Sequence, residues 1–221
     1  MTIRLARRHL SYTDRTGEAA FAVIMVMIIN GYVSLSKLDS GFLYIVAVNL
    51  GACACWGFID GFIYFISKTI ERNDNRKKLL LLKSLKLEDT SDKARAETVL
   101  HETFLEGFDA KGKEEIAKDL VANAASASTE ESKMNKEEIF GWISIMLIYL
   151  ATGFLLALPF LILPSKTNAW LVSNGVGSAW LFWYGIQVGK NVGKNRILLG
   201  LFLTTVGIAF LAMSYFVWSG R

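Results

Sequence analysis

The sequence predicts an all-α, polytopic membrane protein: five transmembrane helices, with a small helical cytoplasmic domain between helices 2 and 3. Three observations predict it. The chain of 221 residues is 52% apolar and 20% charged, but the two classes are segregated. Residues 68–138 hold 30 of the 44 formal charges, 14 basic and 16 acidic. Outside them lie five nearly uncharged runs, each long enough to cross a hydrocarbon core of about 30 Å at about 1.5 Å per residue. An open strand edge in lipid leaves backbone groups unsatisfied, so the spanning elements are helices. A soluble enzyme is excluded.

The elements follow in order. Residues 1–17 form a cytoplasmic tail. The first span is an uncharged run of 18 residues between Glu18 and Lys37. The second lies among the 28 residues between Asp39 and Lys68, interrupted only by Asp60. These two spans make up residues 18–67. After the polar segment, residues 139–221 supply three more runs: 27 residues between Glu138 and Lys166, 23 between Lys166 and Lys190, and 24 from Ile197 to Gly220. A cleaved leader is not expected, because the first apolar run starts near residue 19, lacks a small-residue exit and leads at once into a second apolar run.

Orientation is read from Lys and Arg near the span ends. Arg4, Arg7, Arg8 and Arg15 lie in the tail; Lys68, Arg72, Arg76, Lys77 and Lys78 open the second loop; Lys190, Lys194 and Arg196 lie in the fourth. The other side carries only Lys37, Lys166 and Arg221. The amino terminus and the 68–138 domain are therefore expected in the cytoplasm and the carboxy terminus outside. The net charge of +4 is then a topology signal, and no nucleic-acid partner is expected.

Cys53 and Cys55, two residues apart in one span, fall on different helix faces and are poorly placed for a disulfide. The histidines are His9 and His101. With no CxxC, HExxH, Walker or GxSxG pattern, neither a nucleophile nor a conventional zinc site has candidate residues, and no enzyme and no permanently bound cofactor are expected.

The 68–138 segment divides by charge. Residues 68–86 carry a net +5 and read as a continuation of the second span whose basic groups meet anionic headgroups; residues 87–138 carry a net −7. In the second part, ARAETVLHETFLEGF aligns Leu100, Phe104 and Phe108, and GKEEIAKDLVANAA aligns Ile116, Leu120 and Ala124, so a bundle of about three short helices is expected. Glu102, Glu106 and Asp109 share one helical face, and Met134 lies four residues before Glu138. Carboxylates suit hard or borderline divalent ions and a thioether favours softer ones such as Fe²⁺. The competing reading is a solvated acidic face.

Five spans, an inside amino terminus and an acidic helical domain between spans two and three resemble the vacuolar iron transporter family and its prokaryotic relatives. Local wording agrees. GFLLALPFL resembles the family's Gly- and Pro-containing third helix, YGIQVGKNVGKNRILLGLFLTTVGIAFLAMSY its closing turn and last helix, and ACWGFIDGFIYFISKTIERN the second span of a divergent branch. The resemblance implies export of Fe²⁺ or Mn²⁺ from the cytosol, by proton antiport in this reading, through a homodimer whose first helices lie near the two-fold axis. The metal is substrate, not resident cofactor. The family's aspartate before glycine in the first helix is replaced by Glu18, and its Ser-Met pair in the second span is missing, with Asp60 standing nearby. Carried over, the ion site falls on Glu18 and on Met25, seven residues along the same helix face. Met134 and Glu138 resemble the family's cytoplasmic metal-binding residues.

Two acids remain ambiguous. Asp60 belongs to a stripe with Asn49, Cys53, Trp56 and Tyr64; an ionisable group inside a span is turned inward, paired or on an ion path. It is either a hydrogen-bond partner for a residue such as Asn174 or Tyr184, or part of transport. Glu18 is either a transport acid or a first-turn acid meeting the helix dipole. Gly57 with Gly61, and Gly185 with Gly189, have the spacing of close helix contacts, either inside the chain or at a dimer interface. The opposing functional class is a non-transporting membrane scaffold or metal sensor of the same fold.

Overall fold

The computed structural model describes residues 10–35, 41–84, 110–126 and 136–219. Among them every element is an α-helix: α1 (Tyr12–Leu35), α2 (Phe42–Ser84), α3 (Ala110–Ser126), α4 (Lys136–Ile162), α5 (Lys166–Val192) and α6 (Arg196–Ser219). The chain forms two compact units: residues up to 65 together with those from 136 onward, and residues 66–135. The helix of residues 94–108 expected from the pattern lies outside the described residues.

Helix ends follow from short-range chemistry. Ser11 and Asp14 cap α1 reciprocally: the Ser11 Oγ accepts from the Asp14 N–H at 3.0 Å, and Asp14 Oδ2 accepts from the Ser11 N–H at 3.3 Å. The cap starts α1 well before Glu18, so Asp14 occupies the first turn. Glu18 lies in the second turn. The first-turn dipole reading of Glu18 is corrected accordingly, since the dipole acts within about one turn. At the other end of the chain, α5 ends at Gly193, whose φ of 69° is the left-handed conformation that glycine adopts without strain. Asn195 Oδ1 then accepts from Ile197 and Leu198 N–H at 3.1 and 3.2 Å and starts α6.

The four-glycine question is answered within the chain. A Cβ on Gly185 would lie 2.5 Å from the Leu199 carbonyl oxygen, and one on Gly189 would lie 2.7 Å from Arg196 Cα, so these glycines close the α5–α6 hairpin. A Cβ on Gly57 would lie 2.8 Å from Tyr149 Cβ, and Gly61 faces Trp142, so the second pair closes α2 on α4.

In the larger unit α1 is enclosed by its neighbours. Ala22, Val23, Val26 and Met27 are buried with Cys53 of α2, Ile145, Tyr149 and Leu156 of α4, and Leu181 of α5. Ser214 of α6 donates to the Ile28 carbonyl at 2.8 Å, fixing α1 against α6. Polar side chains lie inside: Asn30, Asn49, Ser144, Ser173 and Asn174 are all buried. Large apolar ones lie outside, among them Ile63, Leu155, Leu171 and Phe202. A water-soluble bundle has the opposite distribution, whereas helices in lipid expose their apolar faces and turn polar groups inward. Three helices are long and apolar enough to cross a membrane by length and composition: Phe42–Ser84, Lys136–Ile162 and Arg196–Val217.

In the smaller unit, Leu79 and Leu82 on the carboxy-terminal part of α2 pack with Val121 and Ala124 of α3. Ala124 is on the buried face, as the Ile116–Leu120–Ala124 stripe predicts. α2 runs to Ser84, past the expected end of the second span.

Candidate functional site

Asp60 sits on α2 between two glycines, Gly57 and Gly61, at the seam with α4. Because Gly57 has no side chain, Tyr149 lies directly over it, with Met146 Cα only 3.0 Å from the position a Cβ would occupy. One turn further along α2, the Tyr149 hydroxyl donates to the Asp60 carboxylate. Trp142 holds the same seam one turn away, donating its indole N–H to the Phe58 carbonyl at 3.1 Å and resting edge-on against the Phe58 ring. Tyr64 covers Gly141. Close packing thus sets the depth at which the phenol reaches the acid.

Glu18 approaches this pair from α1. Its carboxyl lies near enough to Asp60 and Tyr149 to interact with both electrostatically, with Asp14 one turn earlier adding further negative charge. Both carboxylates are partly buried rather than sealed. On the α5 side, the Tyr184 hydroxyl lies 3.6 Å from where a Gly17 Cβ would be, beside the same turn of α1. A phenol carries a single hydrogen, so it can serve only one carboxylate at a time.

Beyond the acids the lining changes character. Met25 stands seven residues after Glu18 on α1, and Cys53 seven residues before Asp60 on α2; both are buried in the same cluster. Still further along the same two helices, Asn30 and Asn49 are buried and bonded to each other, with Asn49 Nδ2 donating to Asn30 Oδ1 at 3.3 Å. Measured along either helix, about 17 Å separates the amide level from the acid level.

The sequence-derived candidates divide accordingly. The structure brings Glu18 and Asp60 together and places Met25 in the adjoining core. Glu138 is buried in the first turn of α4, eleven residues before Tyr149 and apart from the acid pair. Glu102, Glu106 and Met134 lie outside the described residues. Among the described residues no group of three or more His, Cys, Asp and Glu side chains is arranged to hold a metal.

Three expectations are corrected. Asp60 is bonded by Tyr149, not by Asn174 or Tyr184: Asn174 turns to the Trp170 carbonyl at 2.9 Å and to Asn30. Trp56 leaves the inward stripe, being 45% exposed, because Gly57 takes the position against α4. Glu18 is not a first-turn acid. Tyr149 itself was missed. The signal that could have found it is its spacing, since Gly141, Ile145, Tyr149 and Gly153 recur every four residues along one face of an uncharged run. No family model matches this sequence, and no curated protein matches it.

Proposed function

We propose that the chain is a five-span membrane transporter that moves a divalent metal, Fe²⁺ or Mn²⁺, out of the cytosol in exchange for protons, with ion and proton meeting at Glu18, Tyr149 and Asp60. The observation that carries this reading is an Asp60–Tyr149 hydrogen bond with a second carboxylate, Glu18 of another helix, electrostatically coupled to it, inside a bundle whose exterior is apolar. Charge accounting gives the mechanism. Two ionised carboxylates in a low-dielectric bundle balance one divalent cation, and when the cation leaves, protons restore neutrality. Tyr149 can donate to whichever carboxylate lacks a counter-charge, which links the two acids without needing water between them. Met25 and Cys53, in the next layer, are soft donors that favour a transition ion over Mg²⁺.

The remaining parts of the reading rest on the sequence. α1 and α5 complete the five spans, enclosed by or packed on the three more apolar helices. The Lys and Arg distribution puts the amino terminus and residues 68–138 in the cytoplasm, which makes export the direction. The acidic faces with Glu102, Glu106, Met134 and Glu138 collect the ion there. Membership of the vacuolar iron transporter family and a homodimeric assembly belong to the same proposal.

One observation favours a second reading, a non-transporting scaffold or metal sensor: Asp60 already has a hydrogen-bond donor in Tyr149 and is satisfied without an ion. Flux separates the two. In proteoliposomes loaded with a pH indicator, external Fe²⁺, Mn²⁺, Zn²⁺ and Ca²⁺ are offered in turn. A transporter gives saturable uptake of a transition ion with proton counterflow; uptake equal to protein-free vesicles leaves the scaffold.

A further inference from the structure

The amide level offers a different chemistry from the acid level. Asn30, Asn49, Ser173 and Asn174 come from α1, α2 and α5, and none is more than 6% exposed. Three main-chain carbonyls set the direction of every bond among them. Ser173 Oγ donates to the Leu156 carbonyl at 2.7 Å, Asn174 Nδ2 to the Trp170 carbonyl at 2.9 Å, and Asn49 Nδ2 to the Ile45 carbonyl at 3.1 Å. A carbonyl can only accept, so these amides and the hydroxyl cannot be turned round. Asn30 Nδ2 then donates to Ser173 Oγ at 2.9 Å and to Asn174 Oδ1 at 3.4 Å, and Asn49 Nδ2 gives its second hydrogen to Asn30 Oδ1.

Both amide hydrogens of Asn30, both of Asn49 and the Ser173 hydroxyl are therefore engaged. Oxygen lone pairs are left over. Asn49 Oδ1 is the extreme case: its residue has no exposure at all and this oxygen accepts no hydrogen bond from the protein. A buried acceptor without a donor costs free energy, and such groups in native proteins are met by water or an ion. Asn174 Nδ2 keeps one hydrogen beyond its bond to Trp170, but the open lone pairs of Asn49 Oδ1 and the other side-chain oxygens outnumber it, so the cluster favours a cation over an anion. It also holds no carboxylate, so nothing in it would balance a divalent charge. Neutral side-chain and main-chain oxygens are the ligands of desolvated alkali ions in membrane proteins.

We infer that Asn30, Asn49, Ser173 and Asn174 form a second site, about 17 Å along α1 and α2 from the acid pair, that binds a monovalent alkali cation with Asn49 Oδ1 as a ligand. The site is independent of divalent transport. It needs only the enclosed bundle, and it stands or falls by binding rather than flux.

The test uses the purified full-length chain in detergent, with melting followed in NaCl, KCl and choline chloride at equal ionic strength. The expected result is a saturable rise in melting temperature with Na⁺ or K⁺ that choline does not give. Asn49→Leu should abolish that rise. Asn49→Asp keeps the oxygen and adds a charge while giving up the two Nδ2 hydrogen bonds, and should lower the half-saturating concentration by about tenfold or more; the salt comparison on the unaltered chain, which needs no variant to fold, keeps the test decisive. Identical melting in all three salts, or a cation-specific rise that Asn49→Asp leaves unmoved, overturns the inference and leaves water as the partner of Asn49 Oδ1. Divalent flux with no alkali effect sinks this inference alone, and an alkali effect with no divalent flux sinks the transport reading alone.

Discussion

The Tyr149 hydroxyl donates to the Asp60 carboxylate across the α2–α4 seam, and Gly57, one turn before Asp60, is the residue that brings the two helices close enough for it. The acid is thereby held by packing against α4, and Glu18 of α1 is coupled to it electrostatically.

Removing the phenolic oxygen should expose that dependence. Tyr149→Phe leaves Asp60 without its donor and should destabilise the protein by about 1–3 kcal/mol. In the double variant with Asp60→Leu the two effects should not add, because each substitution removes one end of the same bond. A melting series of the four proteins measures the coupling; strictly additive shifts would separate the two residues.

Glycine substitutions should sort by what each Cβ meets. Gly185→Ala drives a methyl against main chain 2.5 Å away and should cost about 1–3 kcal/mol by overpacking. Gly175 lies on the same helix with nothing within 4 Å, so Gly175→Ala should be neutral or stabilise by up to about 1 kcal/mol. Thermal melting of the two variants is the check, and equal destabilisation would contradict the hairpin contact.

Much of this arrangement is legible in the sequence because lipid punishes charge. The gaps between charged residues anticipate α4, α5 and α6 to within about three residues at each end. Asp60 is singled out by the same logic. What stays hidden is pairing. Tyr149 in an apolar run looks like any aromatic filler until Gly57 brings it over Asp60, and Asn30 and Asn49 become a pair only when α1 and α2 lie side by side. Glu18 was assigned to the wrong turn because the Ser11–Asp14 cap lies in a stretch too polar to be read as helix from hydropathy.

The proposed topology rests on the Lys and Arg asymmetry. A cysteine introduced at Ser128, in a chain with Cys55→Ser to remove the exposed native thiol and Cys53 left buried, should react with an impermeant reagent only from the cytoplasmic side. Labelling from outside intact cells would reverse the proposed direction of transport.

The proposed metal collector at Glu102 and Glu106 is testable by binding. In the full-length protein, Glu102→Ala with Glu106→Ala should weaken titratable binding of a transition divalent ion measured by calorimetry while leaving Mg²⁺ binding weak throughout. Unchanged titrations would reduce those faces to solvated surface.

The central claim is that Asp60 carries charge for transport rather than only a bond for structure. Asp60→Asn tests it most directly, since the amide is nearly isosteric and its oxygen can still accept from Tyr149. Metal flux into proteoliposomes and melting in detergent are measured side by side for wild type and variant. Flux should fall to background with an unchanged melting temperature; normal flux in the Asn variant would remove Asp60 from the mechanism.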